Sequence, residues 1–305
     1  MTAVRFERIC LIGLGLIGSS IAWGVKEKGL AREVVGHARS AATRARAMEL
    51  GFLDRVEETA AVAVEGADLV ILCTPVGTYR AVGEAIAPHL MEGAILSDVG
   101  SVKGSILRDL RGVVPAGVHL VPGHPLAGTE QSGPESGFPE LFHGRYCVLT
   151  PEAGTDADAV ERLTAFWQAL GSTVEILSAD HHDKVLAITS HLPHLIAFTI
   201  VGTAVDLAED IKQEVIRYAA TGFRDFTRIA ASDPVMWRDV FLNNREATLE
   251  MLQRFTEDLT ALQRAIRRGE GEVLEDRFAR TRAIRRGVVE ARQDDMPHPE
   301  PKKQG

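Results

Sequence analysis

Gly13, Gly15 and Gly18 stand in Gly-x-Gly-x-x-Gly spacing, directly after the apolar run 8–12 and ahead of an apolar stretch reaching to about residue 28. Between a strand and a helix, such a turn brings backbone N–H groups and the helix N-terminus against a pyrophosphate. The first glycine makes the turn, the second lets the backbone approach the phosphates, and the third packs the helix on the strand. Leu16 and Ile17, lying between the last two glycines, join the same cofactor site. A third apolar strand ends at Thr74-Pro75, which adds these two residues. The second strand ends in Gly36-His37-Ala38-Arg39-Ser40, with no acid for a ribose 2′-hydroxyl. Arg39 and Ser40, next to His37, instead suit a 2′-phosphate through charge-assisted bonds. The pattern favours NADP and leaves NAD open.

A second group of polar residues lies between glycines and prolines after another strand end, in the loop predicted over residues 122–144. His124 is its acid–base residue, suited to accept a proton near neutral pH. Residues 98–104, Asp98-Val99-Gly100-Ser101-Val102-Lys103-Gly104, end a further strand on the same edge and give Ser101 a place beside His124. In open α/β sheets that edge is where ligands bind.

The elements that must carry these residues follow from the hydropathy pattern. Strands are predicted at residues 8–12, 33–36, 67–73, 94–97, 118–121, 146–149 and 174–177. Helices are predicted between them, at 41–50, 79–89, 102–110 and 157–170 among others. Strand alternating with helix at this spacing predicts a mostly parallel sheet covered on both faces. From residue 179 the texture becomes helical. Ser178 or Asp180 can cap a long helix to about residue 207, which Pro193 should kink or divide. Leu252, Phe255, Leu259, Leu262 and Ile266 step 3-4-3-4, an apolar seam that is either intrachain core or a dimer contact. The chain has 305 residues and 28 glycines, 22 of them in residues 1–178. That asymmetry predicts a turn-rich α/β domain over 1–178 and an all-helical domain over 179–293. A disordered tail is expected over 294–305.

Composition narrows the class. Net charge is −8, which argues against nucleic acid as a partner. Three cysteines are too few for a disulfide framework. The uncharged run 9–25 contains four glycines and two serines, so it reads as strand, turn and helix rather than a signal or membrane anchor. No other stretch approaches 18 apolar residues, and a cytoplasmic protein with no membrane partner is expected. His181, His182, Asp183, His191 and His194 lie close in sequence and offer a feasible metal spacing, but no metal is expected there.

These motifs, in order, resemble the prephenate/arogenate (cyclohexadienyl) dehydrogenases of tyrosine biosynthesis. The resemblance covers about residues 5–265. It rests on Gly13–Gly18, residues 98–103, residues 124–133, Ser190-His191-Leu192-Pro193-His194, Gly222-Phe223-Arg224-Asp225-Phe226-Thr227-Arg228, and Asp233-Pro234-Val235-Met236-Trp237-Arg238. It implies a Rossmann-type dinucleotide-binding domain followed by an all-α dimerisation domain, and a homodimer. The implied reaction is NAD(P)-dependent oxidative decarboxylation of prephenate or arogenate. His124 matches the catalytic base and Ser101 the residue that orients the substrate hydroxyl. Arg228 matches the carboxylate-binding arginine. Glu130 and Asp225 match acids near it and the pocket entrance, while His194, Trp237 and Ser190 match substrate-binding positions. A β-hydroxyacid-type dehydrogenase would be expected to use a lysine on the helical domain, and Lys184 and Lys212 sit in no matching motif. A non-catalytic dinucleotide sensor would have no need of His124, Ser101 and Arg228 together.

Overall fold

Strands β1 (Phe6–Ile12), β2 (Ala31–His37), β3 (Arg55–Glu57), β4 (Leu69–Leu72), β5 (Ile95–Asp98) and β6 (His119–Leu120) form one parallel sheet in the order β3-β2-β1-β4-β5-β6. Alternate residues of the central strands face opposite sides. Ile9, Leu11, Leu69 and Ile71 pack with Ile21 and Val25 of α1 (Leu16–Lys28) and with Leu163 and Phe166 of α6 (Ala157–Ala169). Cys10, Ile12, Val70 and Leu72 pack on the other side with Tyr79 and Ile86 of α4 (Tyr79–Ile86) and with Ile106 and Leu110 of α5 (Lys103–Leu110). Strands covered on both faces read as unbroken apolar runs, which is why they are visible in the sequence. The strand order reverses between β1 and β4. A crevice therefore opens at their carboxyl ends, just where Gly13 and Thr74 follow the strands.

The computed structural model describes residues 5–129, 131–206, 217–218 and 220–290. It forms two compact units, residues 1–248 and 249–305. Glu130 and the tail over 294–305 lie outside the described residues.

The single sheet expected from the sequence is two. Gly123–Pro125 is not loop but strand β7, antiparallel to β8 (Tyr146–Leu149), which runs parallel to β9 (Thr173–Ile176). His124 is thus held in register opposite Val148, on a strand rather than on a free loop. The short strand β3 is a second element that the apolar pattern does not reveal.

Ser178, not Asp180, caps α7 (Ala179–Leu186), its hydroxyl accepting from the His181 N–H at 3.3 Å. A π-helical turn, Ala187–His191, separates α7 from α8 (Leu192–Val205). Pro193, in the first turn of α8, has no N–H to donate backward, and the wider turn precedes it. The run Ala179–Ala204 is, by length and composition, long and apolar enough to cross a membrane, with a mean hydropathy of 1.6 over its most apolar 18 residues. That goes beyond the expectation drawn from uninterrupted apolar stretches. Its buried residues include His182, Asp183 and His191. Further helices of the first unit span Thr221–Thr227 and Pro234–Asn243, the second capped by Asp233 accepting from the Met236 N–H at 2.7 Å.

The second unit holds most of the helix Arg245–Arg268 and the helix Gly271–Glu290. Gly269 turns the chain between them at φ +68°, and Arg277 pairs with Asp258 at 2.6 Å. Of the predicted seam, Leu259 and Ile266 are exposed, while Leu252, Phe255 and Leu262 are half-buried. Within the described chain the seam is therefore largely uncovered.

Candidate active site

The glycine turn has the shape a dinucleotide pyrophosphate requires. Gly13 adopts φ +109° and donates to the His37 carbonyl at 2.8 Å, so only glycine is comfortable there. A Cβ on Gly18 would stand 2.1 Å from the Gly13 carbonyl oxygen, whereas one on Gly15 would meet nothing within 4 Å. Gly15 begins α1 with no side-chain cap and no acid in the first turn. The Leu16 side chain is buried in the core and Ile17 packs against it. Their backbone N–H groups remain to meet an anion, with the helix dipole behind them.

Around this turn, Thr78 donates its hydroxyl to the Pro75 carbonyl at 2.7 Å and lies 2.9 Å from the Thr74 hydroxyl, which can donate to it. The His37 ring lies 3.0 Å from the Glu57 carbonyl. Ser40 caps helix α2 (Ala41–Leu50), accepting from the Thr43 N–H at 3.4 Å. Arg39 is exposed beside it. Arg44, one turn into α2, donates to the Ala38 and Arg39 carbonyls at 2.8 and 3.1 Å. Two guanidinium groups thus flank the end of β2.

At the far end of the crevice, His124 is buried, and its Nδ1 lies 2.8 Å from Nε2 of His182 on α7. His182 Nδ1 in turn lies 2.8 Å from Asp183 Oδ1. The Asp183 carboxylate also accepts the Lys103 and Gly104 N–H groups, both at 2.8 Å. It therefore caps α5, which has no side-chain cap of its own. A carboxylate only accepts, so His182 carries its proton on Nδ1. Its Nε2 then accepts from His124 Nδ1–H, and His124 is left with an unprotonated Nε2. Burial, and next the proximity of His182, Lys103 and His191, hold the His124 pKa well below the ordinary histidine value. The imidazole is neutral and able to take a proton.

A buried ion pair fixes the strand that carries His124. Lys103 Nζ donates to Asp98 at 2.6 Å and also to the Gly123 carbonyl. Asp98 accepts from the Gly100 and Gly123 N–H groups at 2.6 and 3.1 Å. The turn bearing Ser101 and the strand bearing His124 are tied to the same two side chains. Burial pulls both Asp98 and Lys103 toward their neutral forms, and each opposes that in its partner.

The helical segment closes the other side. His194 stacks on Trp237, with ring centroids 3.7 Å apart, and its Nδ1 donates to the Ser190 carbonyl at 2.8 Å. Trp237 packs with Val102, the neighbour of Ser101. Its indole N–H is buried without a partner among the described residues. His191, fully buried, presents its ring to Trp237 edge-on at 6.1 Å and lies beside the Ser101 backbone. The charge of Arg228, in the turn after helix Thr221–Thr227, helps to lower the His194 pKa, after burial. Asp225 is exposed on that helix.

Residues 21–176 match the sequence profile of the prephenate dehydrogenase nucleotide-binding domain, and residues 178–280 that of the prephenate dehydrogenase dimerisation domain. The chain belongs to the prephenate dehydrogenase family. It is 42% identical over 273 residues to the cyclohexadienyl dehydrogenase of Zymomonas mobilis, covering 90% of this chain and 93% of that protein. It is 33% identical over 269 residues to the prephenate dehydrogenase of Bacillus subtilis, covering 88% and 72%. Among solved structures it resembles prephenate dehydrogenase from Aquifex aeolicus in complex with hydroxyphenyl propionate and NAD+, with a TM-score of 0.87 and 32% identity over 94% of this chain and all of that one. Synechocystis arogenate dehydrogenase follows at 0.78 and 28%, over 92% and 100%.

Within this family frame, the structure brings Ser101, His124, Ser190, His194, Trp237 and Arg228 to one end of the crevice. It adds His182, Asp183, His191 and Asn244, to which the sequence reading gave no role in the chemistry. The run His181-His182-Asp183 was legible only as possible metal ligands. The usable signal is an acid directly after a histidine in the first turns of a capped helix.

Proposed function

We propose that the chain is a cyclohexadienyl dehydrogenase of tyrosine biosynthesis, oxidising prephenate to 4-hydroxyphenylpyruvate, arogenate to tyrosine, or both, with loss of CO2. The observation that carries this reading is the chain His124–His182–Asp183, which leaves His124 Nε2 as a neutral base next to the cofactor crevice. A nicotinamide dinucleotide held by the glycine turn would supply the acceptor for the hydride on the ring carbon that bears the 4-hydroxyl. His124 Nε2 accepts the hydroxyl proton as the carbonyl forms, and Ser101 orients that hydroxyl. The ring carboxylate leaves as CO2, its bonding electrons complete the aromatic ring, and His124 returns the proton to the phenolic oxygen. Arg228 pairs with a substrate carboxylate, where a guanidinium fork binds bidentately. His194, Trp237 and Ser190 flank the side-chain end, and Asp225, three residues before Arg228, is an acid beside it; Glu130 is assigned to the entrance by the family resemblance alone.

The Gly13–Gly18 turn, with Leu16, Ile17, Thr74 and Pro75, holds the dinucleotide. Arg39 and Ser40, with His37 and Arg44 beside them, favour the 2′-phosphate of NADP over NAD. The uncovered seam, Leu252 to Ile266, supports a homodimer through the helical domain. We assign the protein to the cytoplasm.

A steady-state comparison of prephenate and arogenate, each with NAD+ and NADP+, tests the assignment through the absorbance of reduced cofactor. Turnover of at least one pair is expected, and failure of all four overturns it.

A further inference from the structure

We propose that Asn244 is a positioning residue for this reaction, which locks His191 as the Nε2–H imidazole and braces both the Ser101 turn and the Asp183 backbone. The inference rests on the dehydrogenase reading above.

Asn244 occupies the break between helices Pro234–Asn243 and Arg245–Arg268, at φ −106° and ψ 40°. Its own backbone is fixed: the N–H donates to the Val240 carbonyl at 2.9 Å and the carbonyl accepts from Thr248 at 3.0 Å. The side chain is buried. Nδ2 lies 2.8 Å from the Asp183 carbonyl oxygen and 3.0 Å from His191 Nδ1. A carbonyl only accepts, so the atom facing Asp183 must be the NH2 group, and the amide has one orientation. The second amide proton then points at His191 Nδ1, which must accept it. His191 therefore carries its proton on Nε2.

With Nδ1 taken by Asn244, Nε2–H is the nitrogen that faces the Ser101 backbone, whose hydrogen bond favours the protonated ring, and the ring lies edge-on to Trp237. A buried donor that loses its partner is costly, and Asn244 fixes which ring nitrogen holds the proton. The same amide holds the main chain of Asp183, whose carboxylate aligns His182 and caps α5. One side chain thus braces the base relay and the residue that orients the hydroxyl. The titratable groups facing His191 are Asp183, which favours its charged form, and His182 and His194, which oppose it. Burial outweighs them all and brings its pKa down to about 4.

The test is Asn244→Asp beside Asn244→Ala. In N244D a carboxylate oxygen faces the Asp183 carbonyl and demands a proton on His191 Nδ1. With prephenate, kcat is expected to fall about 10- to 100-fold while cofactor affinity holds, and the acid limb of the pH profile moves to higher pH. N244A, which removes the donor without inverting it, loses less and serves if N244D does not fold. Imidazole 15N NMR of the wild-type protein, which needs no turnover, should show His191 protonated on Nε2. A wild-type His191 protonated on Nδ1, or an unaltered kcat and pH profile in both variants, overturns the proposal. Absence of turnover in the wild-type protein would instead remove the dehydrogenase reading and leave the tautomer result standing.

Discussion

His124 Nδ1 sits 2.8 Å from His182 Nε2, and that contact decides which nitrogen of His124 can act as a base. Because Asp183 accepts the His182 Nδ1–H hydrogen bond from the other side, the three residues are one unit. His124→Asn should lower kcat about 10²- to 10⁴-fold with little change in KM. Asp183→Asn should lower it by a comparable factor, as a miscast tautomer does in other histidine–carboxylate relays, up to about 10⁴-fold. The double variant should be no slower than His124→Asn alone. Additive losses in kcat would separate Asp183 from the base.

Arg228→Ala should act on binding. Removing a charge-assisted pair costs about 1.5–3 kcal/mol, so KM for prephenate should rise by about one to two orders of magnitude. With kcat maintained, the arginine contributes uniform binding rather than transition-state stabilisation. An unaltered KM refutes the role.

The glycines of the cofactor turn should separate folding from binding. Gly15→Ala adds a methyl group where nothing lies within 4 Å, so thermal stability should hold while dinucleotide affinity drops. Gly18→Ala drives a methyl group to 2.1 Å from the Gly13 carbonyl oxygen, and overpacking of this kind costs about 1–3 kcal/mol. Melting temperature and cofactor titration on the two variants check the contrast. A Gly15→Ala protein that binds cofactor normally would place the pyrophosphate elsewhere.

Stability should decline on the acid side of neutrality. His191, brought to about 4 chiefly by burial, and His124 and His182, also lowered chiefly by burial, stay neutral in the fold. In the unfolded chain they take up protons near the ordinary pKa of about 6.5. The unfolded state therefore binds more protons below that pH, and native stability is greatest above it and falls as pH drops through this window. His191 alone accounts for about 3 kcal/mol by the time pH reaches its folded value. Urea midpoints measured from neutral to acid pH should fall, less steeply in a His191→Gln variant. A flat profile would show that these imidazoles are charged in the native state.

The sequence carried the cofactor half of the fold because its strands are buried on both faces and so are continuous in apolar residues. It could not disclose β7. Gly123-His124-Pro125 has no strand preference of its own and becomes a strand only by pairing with Cys147 to Leu149, a contact between distant segments. The relay was hidden for the same reason: Asp183 meets Lys103 and Gly104 across 80 and 79 positions of chain. His124, Ser101 and Arg228 could be named from motif and resemblance, but the residues that orient them could not. Asn244 gives no local signal, since an asparagine at a helix break ordinarily serves only the turn.

The π turn at Ala187–His191 works as an angular offset. Each residue advances a helix by about 100°, and a wide turn holds one more residue than an α turn does. Deleting one residue there would rotate His194 away from Trp237 while the relay on α7, a turn earlier, kept its place against the start of α5. The two halves of one continuous helical run are in that sense separately tunable. One half sets the phase of the proton chemistry and the other sets how the end of the substrate is gripped, so changes in substrate preference need not disturb the base.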